Sequence, residues 1–224
     1  MAKASTNRIL ENILLPVLVC SPDQVLEAVG LPSLRSARYG RTAAFVGPSH
    51  LDLGCGNNPI QEYRPDARVI GLDVMVDRPK FDPTIVGVAE HLPFADNVFD
   101  SVSMVACLNH FGEREKVIAE VRRVLRPRGR AIVTMIGPLV GLVCHKWRFW
   151  YQDTLYRVVH PGEVDGMERT WVRQLFDSSD MPCVHEESFL AGMNRIFVFE
   201  KPDDGQRRPQ PQGEPRDVPA RAAS

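Results

Sequence analysis

Eight consecutive residues, Asp52-Leu53-Gly54-Cys55-Gly56-Asn57-Asn58-Pro59, join a carboxylate to two closely spaced glycines. Glycine permits left-handed backbone and lets a ligand lie against the chain, so this is the geometry of a tight ligand-binding turn. A second apolar run, Arg68-Val69-Ile70-Gly71-Leu72-Asp73, ends in another carboxylate. It lies about twenty residues beyond the glycines, the spacing at which an acid grips a ribose diol. Two nucleotide-type ligands compete for this pattern. A dinucleotide fingerprint wants G-x-G-x-x-G, but its third position is Pro59. Proline has no N–H for a pyrophosphate and hinders close helix packing, so an NAD site is disfavoured. The alternative ligand carries ribose and adenine without phosphate, and an amino-acid end whose ammonium would want Asp52. The bland readings are a plain turn for the glycines and a helix cap for Asp73.

The elements that must position these residues are short apolar runs alternating with helices. Leu51-Asp52-Leu53 and Arg68–Asp73 read as the first two strands, Asp100 to Cys107 as a third and Ala131 to Met135 as a fourth. Between the last two, Glu113 to Arg126 places Val117, Ile118, Val121, Val124 and Leu125 at helical spacing, with Glu and Arg opposite. Such alternation predicts an α/β fold with a parallel sheet. Ligands of an open sheet of this kind bind at the carboxyl ends of the strands, where the glycines and Asp73 fall. Thr170 to Asp177 predicts a helix presenting Trp171, Val172, Leu175 and Phe176. Cys183 to Leu190 and Arg195 to Glu200 predict strands joined by Ala191-Gly192-Met193-Asn194, too short to cross over a sheet, hence an antiparallel hairpin. Upstream, Ile9, Ile13 and Leu14 predict an amphipathic turn. Ser21-Pro22-Asp23-Gln24 predicts a helix start, with Gly30 as its stop.

Composition bounds the reading. The chain has 224 residues, which points to one domain or one domain with an added cap, and its 44% hydrophobic and 25% charged residues are ordinary for a globular protein. Lys+Arg is 27 and Asp+Glu 28, a balance that argues against a dedicated nucleic-acid binder. No run of about 18 apolar residues predicts a transmembrane helix, and the Ile13–Cys20 stretch is broken by Pro16. It also lacks the basic flank and small-residue site of a signal peptide. The five cysteines, Cys20, Cys55, Cys107, Cys144 and Cys183, never form CxxC, which suits reduced thiols and a cytoplasmic location better than disulfides or zinc, and no metal site is expected. Residues 202–224, rich in Pro, Arg, Gln and Ala, read as a disordered tail.

With these motifs in place, the chain resembles the class I S-adenosylmethionine-dependent methyltransferases, of the methyltransferase-11 type. The matching segments are LDLGCGNNP (51–59), VIGLD (69–73), VGVAEHLPFADNVFDSVSM (86–104), LNHF (108–111) and VRRVLRPRGRAIVTM (121–135). The resemblance implies a Rossmann-like fold: a mostly parallel seven-stranded sheet with an antiparallel last strand and helices on both faces. It divides the chain into a helical cap (1–48), a methyltransferase domain (49–201) with a substrate lid (137–167), and the tail. S-adenosylmethionine is the implied cofactor. Asp52, Gly54 and Gly56 would surround its methionine part and Asp73 would bind both ribose hydroxyls. Ala89 and Glu90 would line the adenine, and Met104 and Val105 would pass close to the sulfonium.

Three departures from the family pattern stand out. The third glycine is Asn58, which tolerates left-handed backbone. The acid that often meets the adenine amino group is Val88. Pro127-Arg128-Gly129 replaces Pro-Gly-Gly, as a surface turn where the change is expected to be neutral. Leu92, Phe94 and Phe99 read as core, Cys55 as a packing residue, and Arg122, Arg123 and Arg126 as a solvated helix face.

The resemblance places the acceptor beyond the strand at Asp100 to Cys107. His110 falls there and has the pKa range of a general base, with a packing or capping histidine as the bland alternative. His160, in Val159-His160-Pro161-Gly162-Glu163, is the second candidate; His145 and His185 are weaker. The lid carries Trp147, Phe149, Trp150, Tyr151 and Tyr156 between basic residues. It suits a flat, acidic or sugar-bearing small molecule, an aromatic mini-core, or a membrane-facing role. The sequence thus points to methyl transfer to a small-molecule acceptor, at an oxygen of a natural product or sugar-containing metabolite. The rivals are a lipid, quinone or lipid-linked glycan acceptor, and a non-catalytic cofactor-binding partner module.

Overall fold

A computed structural model describes residues 23–30, 33–74, 83–137 and 161–203. The expected turn at 9–14, Ser21 and Pro22, His145, His160, the aromatic part of the lid and residues 204–224 lie outside the described residues.

Seven strands form one sheet in the order β3-β2-β1-β4-β5-β7-β6. In chain order they are β1 (Ser49–Leu53), β2 (Arg68–Asp73), β3 (Thr84–Val86), β4 (Phe99–Val105), β5 (Leu125–Ile136), β6 (Cys183–Phe189) and β7 (Asn194–Glu200). β1 pairs in parallel with β2 and β4, β2 with β3, and β4 with β5; β7 runs antiparallel to β5 and β6. The hairpin is therefore antiparallel as its four-residue link requires, and its return strand β7 inserts between β5 and β6. The order reverses at β1 and β4, so the crevice over their carboxyl ends is where such a sheet takes a ligand. The short strand β3 carries no pattern of its own in the sequence.

Period-2 alternation divides the buried side chains between two faces. Leu51, Leu53, Val102, Met104 and Val133 face one core, closed by α4 (Arg114–Val124) and α5 (Arg169–Asp177) through Val117, Ile118, Val121, Val172 and Phe176. Val69, Val105, Ile132, Ile196 and Val198 face the other, closed by α2 (Leu34–Ala43) and the short α3 (Ile60–Tyr63) through Leu34, Ala37, Tyr39 and Ile60. Helices thus cover both faces, which is why the central strands read as apolar runs. Leu92 and Phe99 are buried, and Phe94 meets Phe99 edge-on at 5.0 Å.

Local chemistry sets the element ends. α1 (Asp23–Ala28) is followed by Gly30 at φ 75°, the left-handed stop its sequence predicts. α2 begins with a capping box missed in the sequence: Ser36 N–H donates to Ser33 Oγ at 2.9 Å while Ser33 N–H donates to Ser36 Oγ at 2.7 Å. α4 stops at Val124, short of the expected Arg126, because Leu125 already pairs with Phe99 as the start of β5. Pro127-Arg128-Gly129 reaches the surface as expected, Pro127 and Arg128 being exposed, but as a bulge within β5, since the register jumps from Phe99↔Leu125 to Ser101↔Arg130. Arg128 sits at φ 62° and its N–H donates to Lys201 O at 2.8 Å. A Cβ on Gly129 would stand 2.8 Å from Arg126 O, so glycine is required there.

Candidate active site

The glycine loop leaves β1 at the reversal point. Gly54 and Gly56 have φ of 65° and 52°, and Asn58 follows at 51°, confirming that asparagine carries the left-handed turn. The Gly54 N–H donates to Leu72 O at 2.8 Å, tying the loop to β2. A Cβ on Gly54 would meet Cys107 Cβ at 2.8 Å, so this glycine is demanded twice, by conformation and by contact. The Gly56 N–H donates to Asp73 Oδ2 at 2.8 Å. The loop and the acid that ends β2 are therefore held as one unit.

Asp52 lies fully buried on the α2 side of the sheet. Its Oδ1 accepts from Ser103 Oγ, while Oδ2 is buried without a partner among the described residues. Burial is the main cause pushing this carboxyl up to about 7; the Ser103 hydrogen bond opposes the shift and nearby Asp73 adds to it. An orphaned buried carboxylate oxygen calls for a donor, and an ammonium meets that demand. The loop thus fits the amino-acid end of a nucleoside cofactor. Asn58 is also fully buried, with neither amide atom partnered among the described residues. Burial pushes the Cys55 and Cys107 thiols well above their usual range, so both stay protonated and pack, as expected of Cys55.

At the end of β4 the chain turns abruptly. Ala106 takes φ 56°, and its N–H is held by Thr134 Oγ1 at 3.0 Å and Thr134 O at 3.1 Å. A non-glycine residue in this conformation stores strain, and such strain clusters at functional sites. Met104 is fully buried in the core and Val105 nearly so on the opposite face, so at these positions the strand end offers backbone rather than side chain. Ala89 is buried and Glu90 half-buried in the loop after β3. That loop is braced by Arg123, which donates to Phe94 O at 2.7 Å and Leu92 O at 3.0 Å, while Glu120 accepts from Leu92 N–H at 2.8 Å. Arg123 is thus a structural brace rather than a solvated side chain.

The sequence's first base candidate proves to be one half of a pair. His110 closes a short 3-10 turn (Leu108–His110), and its Nδ1 bonds Glu163 Oε1. The His110 ring is 27% exposed, and Glu163 only 6%. The segment carrying Glu163 is clamped to this turn. Val164 N–H donates to Asn109 O at 3.1 Å, and Asn109 Nδ2 donates to Val164 O at 3.0 Å. Buried Arg114 donates to Leu108 O, Asn109 O and Gly162 O at 3.1, 2.8 and 2.9 Å, and its guanidinium lies 5.2 Å from the Trp171 ring centre. Gly162 at φ 92° packs against Gly112. Neither Glu163 nor Arg114 stands out in the sequence: each depends on a contact some fifty residues away. Of the other histidines, His185 lies on β6 against Phe45, away from this cluster.

Comparison with known proteins decides the family. Residues 51–133 match the model of a methyltransferase domain. The chain carries a class I S-adenosylmethionine-dependent methyltransferase domain. A ubiquinone/menaquinone biosynthesis C-methyltransferase of Paraburkholderia phymatum is 39% identical over 64 residues, 29% of this chain and 26% of that one. A tRNA (carboxymethyluridine(34)-5-O)-methyltransferase of Schizosaccharomyces pombe is 31% identical over 86 residues, 37% of this chain and 38% of that one. The chain thus spans well under half the length of these curated relatives. Among solved structures, the N-methyltransferase NodS of Bradyrhizobium japonicum, in complex with S-adenosyl-L-homocysteine, superposes with a TM-score of 0.57 at 13% identity, covering 86% of this chain and 99% of that one. The methyltransferase domain's cofactor is S-adenosylmethionine, and the seven-stranded Rossmann-like sheet is the family's. Among the described residues, no cluster of His, Cys, Asp and Glu fits a metal ion, and no helix is long and apolar enough to cross a membrane.

Proposed function

We propose that this chain transfers a methyl group from S-adenosylmethionine to an oxygen of a small-molecule acceptor, with His110 as the general base. The observation that carries this reading is the His110–Glu163 pair at the end of β4, beside the turn whose Cys107 touches the glycine loop. The cofactor supplies an electrophilic methyl on a sulfonium, which leaves as a neutral thioether. The protein's part is alignment and proton removal. Asp52, Gly54 and Gly56 hold the methionine part and Asp73 the ribose diol. The Ala89 N–H and Glu90 meet the adenine, with half-exposed Val74 and Val88 as apolar surface beside it. Glu163 accepts from His110 Nδ1–H, which makes Nε2 the lone-pair nitrogen of the neutral ring. That nitrogen takes the hydroxyl proton as oxygen attacks the methyl, and Glu163 balances the imidazolium that forms.

The quinone-pathway relative favours a second acceptor class, a quinol or phenol methylated at carbon beside its hydroxyl. The same base serves it, because removing the phenolic proton makes the adjacent carbon nucleophilic. Transfer of labelled methyl to a panel of phenols, quinols and glycosides tests both, with and without His110→Ala. Turnover lost by about 10²–10⁴-fold with cofactor affinity retained supports the base. Unchanged turnover on an accepted substrate refutes it.

A further inference from the structure

Behind Asp52 runs a chain of buried polar groups that the methyl-transfer reading leaves unused. His50 and Asp52 alternate with Leu51 and Leu53 on β1, and Ser101 and Ser103 sit directly opposite them on β4, His50 against Ser101 and Asp52 against Ser103. All four are fully buried. Gly47 N–H donates to Ser101 Oγ at 2.8 Å, Ser101 Oγ meets His50 Nδ1 at 2.7 Å, His50 Nε2 meets Ser103 Oγ at 2.9 Å, and Ser103 Oγ bonds Asp52 Oδ1.

Proton counting gives this chain a direction. The backbone N–H of Gly47 can only donate, so Ser101 Oγ accepts there. With Asp52 ionised, Ser103 donates its hydroxyl proton to the carboxylate and accepts from His50 Nε2–H. His50 Nδ1 then accepts the Ser101 hydroxyl proton, and every hydrogen in the chain is used once. With Asp52 protonated, a proton on Oδ2 would be a buried donor with no acceptor among the described residues; placed on Oδ1 it points at Ser103, the Ser103 proton turns to His50 Nε2, and the ring carries its hydrogen on Nδ1. Ser101 then accepts from both sides and its own proton has no acceptor in the chain. A stranded buried donor is costly, so the arrangement favours the ionised carboxylate.

We propose that His50, Ser101 and Ser103 are positioning residues that hold Asp52 as a carboxylate for the cofactor's ammonium, coupling its protonation to the tautomer of His50. The coupling itself stands on the hydrogen bonds; its use rests on the assignment of Asp52 to the cofactor site. The surrounding groups set where the exchange occurs. Asp73 of β2 opposes ionisation of Asp52; the protonated thiols of Cys55 and Cys107 and the buried phenol of Tyr39 on α2 add no charge at neutral pH. Burial, reinforced by Arg64 after α3, keeps His50 neutral down to about 3. His50 therefore responds to pH near neutrality by moving its proton between nitrogens, not by gaining a charge.

The test is nitrogen NMR of the full-length protein labelled with ¹⁵N-histidine, the His50 signals being assigned by their loss in His50→Gln. The expected result is a neutral ring at every pH between 5 and 9, protonated on Nε2 at high pH and on Nδ1 at low pH. In Ser103→Ala the switch disappears, while Ser103→Thr restores it. In parallel, calorimetric affinity for S-adenosylhomocysteine in Ser103→Ala falls about tenfold at pH 7 and recovers at pH 9. A single tautomer throughout, or an imidazolium forming near pH 6.5, overturns the relay whatever the ligand affinity shows. A tautomer switch without S-adenosylhomocysteine binding in the wild type overturns the cofactor assignment and leaves the relay standing.

Discussion

Replacing Asp52 with asparagine separates stability from binding. In the unfolded chain an aspartate ionises at its ordinary value of 3.8; in the folded protein burial raises this to about 7. Folding therefore opposes ionisation, and the ligand-free protein loses stability as pH rises from about 4 to about 7. Three units at 1.36 kcal/mol each give about 4 kcal/mol, present in full above pH 7 and absent below pH 4. Asparagine keeps the shape and can still accept from Ser103, without a charge to bury; its Nδ2 takes the place of the unpartnered Oδ2 and offsets part of this gain as a buried donor. Asp52→Asn should therefore stabilise the ligand-free protein at pH 8 by up to about 4 kcal/mol, a rise in Tm of roughly 8–15 °C for a domain of this size. The gain should shrink steadily towards pH 4.5. The same variant should bind S-adenosylhomocysteine far more weakly, because the ammonium loses its counter-charge. Scanning calorimetry of both proteins at half-unit steps of pH measures the difference. A variant less stable than wild type at pH 8, or a pH-independent difference, would refute the reasoning.

Four other outcomes follow from the geometry. Asp73→Ala removes the acceptor of the Gly56 N–H and the proposed ribose grip; at about 1.5–3 kcal/mol per charge-assisted bond, calorimetry should show cofactor affinity falling by at least tenfold. Glu163→Gln should lower turnover while leaving S-adenosylhomocysteine affinity within twofold, and a parallel loss of affinity would place Glu163 in the cofactor site instead. Gly54→Ala should cost about 2 kcal/mol or more in urea unfolding, since its φ of 65° and the 2.8 Å approach to Cys107 both penalise a methyl; a neutral variant would contradict the packing. Arg114→Met should lower Tm by several degrees and weaken turnover, because three carbonyls lose a buried donor. An unchanged Tm would show the clamp to be idle.

The sheet was legible because parallel strands covered on both faces become apolar runs, and the long helix because Val117, Ile118, Val121 and Val124 keep one face inward. The loop was legible because glycine and asparagine answer a local conformational demand at positions 54, 56 and 58. The proposed base pair was half legible: His110 has a recognisable place after β4, but Glu163 meets it only because a segment some fifty residues on is clamped beside it. The Asp52 relay was hidden for a different reason. Polar residues at alternate positions, His50 and Asp52 or Ser101 and Ser103, ordinarily mark a strand face turned to water. Here α2 covers that face, and the four satisfy one another across the β1–β4 register. Helix boundaries shifted where pairing overruled propensity, as when Leu125 left α4 to begin β5.

On the proposed reading, the glycine loop, Asp52 and Asp73 form an S-adenosylmethionine site. Titration calorimetry of the full-length protein with S-adenosylhomocysteine, with NAD as control, tests it most directly. One-to-one micromolar binding of the former, weakened in Asp73→Ala, and no heat from NAD are the expected results; no binding of S-adenosylhomocysteine, or affinity unchanged in Asp73→Ala, would contradict the assignment.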